Sequence, residues 1–155
     1  MWIREMQRAD IPEVEKLEQL CFSDPWSENL LAAMLENKAD GAFILEDGGE
    51  VIGYANPRIG MDEGELMRIC LIPASRGKGL SKLLMERAMD YFKSFGIKEV
   101  TLEVRTKNIP AVKLYESFGF LCEGLRKGYY HDPEDDAAVY WFRRNTKDKK
   151  KKPGE

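Results

Sequence analysis

Ile69-Cys70-Leu71-Ile72-Pro73-Ala74-Ser75-Arg76-Gly77-Lys78-Gly79-Leu80-Ser81-Lys82-Leu83-Leu84 is the stretch that decides how this chain is read. An apolar run stops at Pro73, and a turn rich in glycine and cations opens into an amphipathic helix. The first backbone N–H groups of a helix have no intrahelical partner and lie at the positive end of its dipole. Glycine lets such a backbone approach a ligand closely, and Arg76, Lys78 and Lys82 add charge. In outline this is a phosphate site, with Gly77, Gly79, Leu80 and Ser81 supplying the backbone.

Two well-known phosphate patterns do not fit. The P-loop G-x-x-x-x-G-K-[ST] would need glycine where Ile72 stands, and the dinucleotide G-x-G-x-x-G meets Lys82 in place of its third glycine. What remains is Arg76-x-x-Gly79-x-Ser81; on the loop alone, an ordinary strand–turn–helix connection with a solvated basic turn fits as well. Further on, Val100-Thr101-Leu102-Glu103-Val104-Arg105 alternates, with Leu102 and Val104 on one face and Thr101, Glu103 and Arg105 on the other. Asn108-Ile109-Pro110-Ala111-Val112-Lys113-Leu114-Tyr115-Glu116-Ser117-Phe118-Gly119-Phe120 follows. Asn108 is a good N-cap, Pro110 suits a first turn and Gly119 is placed to stop the helix.

The loop and the pattern N-x-x-A-x-x-L-Y-x-x-x-G-F, in this order and at this separation, resemble the Gcn5-related N-acetyltransferase family. Ser81 departs from the family's usual final Gly or Ala, but is small enough to keep the backbone approachable. Cys21-Phe22-Ser23-Asp24-Pro25-Trp26-Ser27 and Gly128-Tyr129-Tyr130 resemble its ribosomal-protein-alanine branch, which acetylates protein N-termini. The resemblance implies acetyl-CoA as cosubstrate, its pyrophosphate on the Arg76–Lys82 loop and its pantetheine arm along the backbone of Ile69, Cys70 and Leu71. It implies Glu103 as general base, through water, and Tyr115 as the acid that protonates the leaving thiolate. Read without the family, the favoured account of Glu103 is a solvated strand carboxylate paired with Arg105, and packing beside Ala111, Val112 and Phe118 could explain Tyr115. Asn108 could cap its helix, hydrogen-bond the pantetheine arm, or both.

The acceptor implied is a protein or peptide N-terminus, with a ribosomal protein as the branch's example. The same chemistry would serve a lysine side chain or a polyamine, and a non-catalytic acyl-CoA-binding module is the reading from a different class. Glu63, Glu65 and the acids from Asp132 to Asp136 could attract an ammonium, and Tyr129 and Tyr130 could clamp a peptide; solvated loop acids and half-buried tyrosines are the plainer account.

The rest of the chain agrees with one small enzyme domain. Its 155 residues are 43% hydrophobic and 33% charged, enough for a single core. No run reaches membrane-span length and Met1–Glu5 does not read as a signal peptide, so the expected compartment is cytoplasmic. Cys21, Cys70 and Cys122 are widely spaced and read as buried free thiols of a reducing compartment. His131 is the only histidine, so neither a Ser-His-Asp triad nor a histidine-based metal site is available, and no metal is expected. Residues 143–155 carry a net charge of +5, which leaves −8 for residues 1–142 in a chain of net −3. An acidic body suits a cationic acceptor and speaks against nucleic acid, apart from weak contact by a solvated basic tail.

Periodicity predicts an edge strand at Trp2–Met6 and a helix from Asp10 burying Ile11, Val14, Leu17, Leu20 and Cys21. A helix capped by Ser27 should turn Leu30, Leu31, Met34 and Leu35 inward. Strands are predicted near 42–45, 51–59, 65–72, 100–105, 120–125 and 137–142. A helix from Arg76 to Phe95 should bury Leu80, Leu83, Leu84, Ala88, Phe92 and Phe95. The architecture implied is one α/β domain over residues 1–142, with a mixed, mostly antiparallel sheet and about four helices.

Overall fold

Capping side chains set two of the helix starts. Ser27 Oγ accepts from Leu30 N at 3.3 Å, and Asn108 Oδ1 from Ala111 N at 3.3 Å, each satisfying an N–H that the first turn leaves free. In the computed structural model, which describes residues 1–144, these begin α2 (Glu28–Glu36) and α4 (Ile109–Ser117). The other helices are α1 (Ile11–Cys21) and α3 (Ser81–Ser94). The strands are β1 (Trp2–Glu5), β2 (Phe43–Asp47), β3 (Glu50–Gly60), β4 (Glu63–Leu71), β5 (Glu99–Arg105), β6 (Leu121–Tyr130) and β7 (Asp135–Arg143).

These strands form one sheet in the order β1-β2-β3-β4-β5-β7-β6. Every neighbouring pair is antiparallel except β4–β5, so the mixed sheet of the sequence reading is borne out. One face of β2–β4 is covered by α1 and α2 through Val14, Leu17, Leu31, Ile44 and Tyr54. The other is covered by α3, whose Leu84, Met85, Ala88 and Phe92 are buried. Phe92 lies so close to β4 that a Cβ on Gly64 would sit 2.5 Å from its ring, so a side chain there would push the helix off the sheet.

The differences from the sequence reading have local causes. α3 begins at Ser81 rather than Arg76, because Pro73–Ser75 form a 3-10 turn and Gly77 and Gly79 take positive φ of 79° and 77°. Leu20, Leu30, Leu83 and Phe95 are exposed, each rotated off its helix's buried stripe or past its end, and Met85 is the buried α3 residue the pattern missed. Glu18 takes the inward place expected of Leu20. Of the thiols, only Cys70 is buried; Cys21 is half-buried and Cys122, on the edge strand β6, is exposed. β6 continues through Tyr130, and β7 through Arg143, which pairs with Glu99 at 3.0 Å and with Glu123, one residue beyond the expected boundary. The lysine-rich run of the expected tail lies outside the described residues.

Candidate active site

β4 and β5 pair only at Glu63↔Glu99, Gly64↔Val100 and Glu65↔Thr101, then part. From Leu66 to Leu71 the β5 side of β4 therefore has no strand against it, and backbone there is open to a ligand. α4 fills the gap from the far side, and a cleft of about 520 Å³ remains between them. Ile69, Cys70 and Leu71 line one wall and Asn108, Pro110, Ala111, Leu114 and Tyr115 the other. Arg76, Gly77, Gly79, Leu80, Ser81 and Lys82 close one end. The fold thus brings together ten of the eleven residues expected to hold the cosubstrate; Lys78 is the one that does not line the cleft.

The closing end presents bare backbone N–H groups. Among the described residues, no hydrogen bond uses the N–H of Gly77, Lys78, Gly79, Leu80 or Ser81. A Cβ on Gly77 or Gly79 would meet nothing within 4 Å, so these glycines are required by their positive φ and leave the backbone bare. Free N–H groups at the head of a fourteen-residue helix suit a diphosphate. Arg76 plays a different part from the free cation expected: its Nε donates to Leu71 O at 2.9 Å, tying the loop to the end of β4.

Tyr115 is the buried residue of α4 and lines the cleft. Burial, with Tyr130 and Cys70 adding, pushes its phenol well above the ordinary range, so it stays protonated and available as a donor. Asn108 uses Oδ1 on its own helix and leaves its amide nitrogen for the cleft.

Glu103 stands on the opposite face of β5 from Leu102 and Val104 and is not part of the cleft wall. Its Oε2 is held by Arg126 Nε of β6 at 2.6 Å, so the partner expected at Arg105 is supplied by Arg126 instead. Partial burial and the Glu103 charge raise the Glu65 carboxyl, which stands on β4 opposite Thr101, two residues before Glu103, at the last pair before β4 and β5 separate. The Glu103 charge also raises the Tyr129 phenol, and burial followed by that charge pushes Tyr130 up to about 12. Of the acids expected to attract an ammonium, two serve the fold. Asp135 accepts from Thr106 Oγ1, Lys107 N and Asp136 N, and Asp136 accepts from Gly128 N.

Sequence reasoning missed two neighbours of the cleft. Glu18 of α1, wholly buried, accepts from Tyr54 Oη, from Arg68 Nη2 at 2.9 Å and from Trp26 N at 2.8 Å. The Arg68 guanidinium lies over the rings of Phe22 and Trp26 and also donates to Asp24 O, which fixes the loop between α1 and α2. Cys21 is the other: it lines the cleft beside Cys70, with Sγ 3.5 Å from Leu71 O. Hydrogen bonding with Cys70, helped by the Arg76 charge, lowers its thiol below the ordinary range against the opposing effect of burial. Iodoacetamide labelling of Cys21, followed by mass spectrometry of the peptide, should therefore rise at a lower pH than for an ordinary thiol, and saturating acetyl-CoA should protect it. Labelling that rises only in the range of an ordinary thiol, about 8.5, would contradict the assignment.

Compared with known proteins, residues 11–120 match the Acetyltransferase (GNAT) family. The [ribosomal protein bS18]-alanine N-acetyltransferase of Escherichia coli (strain K12) is 31% identical over 139 residues, covering 88% of this chain and 93% of that protein. An N-alpha-acetyltransferase of Sulfurisphaera tokodaii is 28% identical over 146 residues, covering 86% and 87%. The crystal structure of the ribosomal-protein-S18-alanine N-acetyltransferase from Escherichia coli superposes with a TM-score of 0.84 at 30% identity, over 92% of each chain.

Proposed function

Because this chain belongs to the acetyltransferase (GNAT) family, we propose that it moves an acetyl group from acetyl-CoA to the N-terminal α-amine of a protein, with the N-terminal alanine of a ribosomal protein as the acceptor. The observation that carries the reading is the parting of β4 from β5, which leaves open backbone from Leu66 to Leu71 between a free N–H cradle and the Tyr115 phenol. Acetyl-CoA, when bound, supplies an acetyl carbon already activated as a thioester. The Gly77–Ser81 amides hold its diphosphate, and the open edge at Ile69–Leu71 pairs with the amides of its pantetheine arm.

Glu103 takes the proton of the acceptor's ammonium through water, since only the free amine has a lone pair to attack with. As the C–N bond forms and the C–S bond breaks, the leaving sulfur receives the Tyr115 proton, and the two residues exchange protons with solvent to reset. Among the described residues no helix is long and apolar enough to cross a membrane, and the acceptor reading needs none.

The test offers acetyl-CoA together with a peptide starting Ala or Ser and an N-blocked peptide carrying one internal lysine. The first should be acetylated faster, because an α-amine titrates about 2.5 units below a lysine and is far more often free at neutral pH. Faster acetylation of the lysine peptide or of a polyamine would move the acceptor to that class.

The cosubstrate site is tested separately by Ser81→Asp. A carboxylate at the first position of α3 favours the helix dipole, by about 0.3–1 kcal/mol, but repels a diphosphate. The free protein should melt at an unchanged or slightly higher temperature, and the stabilisation by acetyl-CoA should be lost. An undiminished thermal shift would place the diphosphate elsewhere.

A further inference from the structure

Arg105, the last residue of β5, lies on the same face as Glu103 and joins two loops that approach from opposite sides. Its Nη2 donates to Ser23 Oγ at 2.8 Å in the loop between α1 and α2. The same nitrogen donates to His131 O at 3.2 Å, and Nη1 to Pro133 O at 2.6 Å, both in the hairpin between β6 and β7. The guanidinium also lies 4.4 Å from the centre of the Tyr130 ring. A planar group with donors on two edges suits such a bridge, and a lysine, with one nitrogen, could not hold both loops in this geometry.

We infer that Arg105 is a positioning residue that straps the α1–α2 loop to the β6–β7 hairpin, and that this strap holds acceptor choice to a chain end. The inference rests on the acceptor reading above. Sterics connect the strap to the choice. An N-terminal amine arrives on one length of backbone, whereas an internal lysine brings backbone running past the mouth in both directions. Walls tied to each other through Arg105, on the strand face that carries Glu103, admit the first and obstruct the second. Arg68 fixes the same α1–α2 loop from β4 through Asp24 O, so with Arg105 intact that wall is held at two points and has little freedom to swing out.

The experiment compares kcat/KM for an Ala-initiated peptide with that for an N-blocked peptide carrying one internal lysine, in the wild type, Arg105→Ala, Arg105→Lys and Ser23→Ala. Arg105→Ala should lower the ratio of chain end to lysine by about tenfold or more, the size of losing a hydrogen bond from a charged group. Ser23→Ala cuts only the link to the α1–α2 loop and should lower the ratio in the same direction. Arg105→Lys should fail to restore it, and the shift in melting temperature with acetyl-CoA should match the wild type throughout. Ser23→Ala removes one exposed hydroxyl and carries the test by itself if Arg105→Ala does not fold. An unchanged ratio, or equal loss on both peptides, in a wild type that does prefer the chain end would overturn the strap alone. A wild type with no such preference would overturn the acceptor reading and the strap with it.

Discussion

Replacing Glu103 with glutamine should lower turnover on an N-terminal peptide by about 10²–10⁴-fold at neutral pH, the usual contribution of a positioned base. The loss should shrink as pH rises. An α-ammonium titrates at about 7.7–8.0, so above that range solvent supplies the free amine and the base has less to do. Glutamine keeps the volume and one oxygen for Arg126, which holds Glu103 at 2.6 Å in the wild type, so the change removes proton acceptance with little disturbance of β5–β7–β6. Tyr115→Phe, in the same series, should slow acetyl transfer and leave acetyl-CoA affinity close to wild type, because only the hydroxyl of this cleft-lining residue is lost. The measurement is kcat against pH for both variants, beside a thermal-shift check that each still binds acetyl-CoA. Wild-type rates across the whole range would remove Glu103 and Tyr115 from the chemistry and leave open water as the proton carrier.

What was legible in the sequence is what local chemistry dictates. Glycines at positive φ free the backbone amides beside them, so the bare N–H groups of Gly77–Ser81 announce themselves within a few residues, and Asn108 caps its own helix. The strand face carrying Glu103 follows from alternation, and the mixed, mostly antiparallel sheet from the family resemblance. Features that depend on residues meeting across the fold were not legible. Arg105 was read beside Glu103 because they share a strand face, yet its partners come from Ser23, 82 positions away, and from the β6–β7 hairpin. Arg126 reaches Glu103 across β7, the last strand, which lies between β5 and β6. Glu18 shares α1 with Glu13 and Glu15, yet its partner is Arg68, 50 positions on, and no local pattern reports that. The amphipathic stripe of α3 was misplaced at both ends for a related reason, since the glycine loop, not the periodicity, decides where the helix starts.

That buried carboxylate gives the second large effect. Glu18→Ala should destabilise the protein by about 3–5 kcal/mol, the range found when one partner of a buried ion pair is removed. Glu18 is wholly buried, and its loss would strip acceptors from Tyr54 Oη, Trp26 N and Arg68 Nη2 together. The Arg68 guanidinium cannot readily escape to water, because it lies 4.1 and 4.5 Å from the Phe22 and Trp26 ring centres and its side chain is only 15% exposed. Its Nε already lacks a partner, so the carboxylate offsets most of what burying this cation costs. Glu36→Ala is the control: its pair with Arg8 spans 3.1 Å with both side chains 68% exposed, and such surface pairs contribute about 0–1 kcal/mol. Urea unfolding followed by tryptophan fluorescence would show a large drop in midpoint for the first variant and almost none for the second, at similar slope. Glu18→Gln should fall between them, retaining volume and an acceptor but not the charge. Because the same carboxylate fixes the Trp26 backbone and, through Arg68, the α1–α2 loop, Glu18→Gln should also raise the KM for peptide more than the KM for acetyl-CoA. Equal midpoints for Glu18→Ala and Glu36→Ala would mean that the two aromatic rings hold Arg68 without its counter-ion, and the network would lose its structural role.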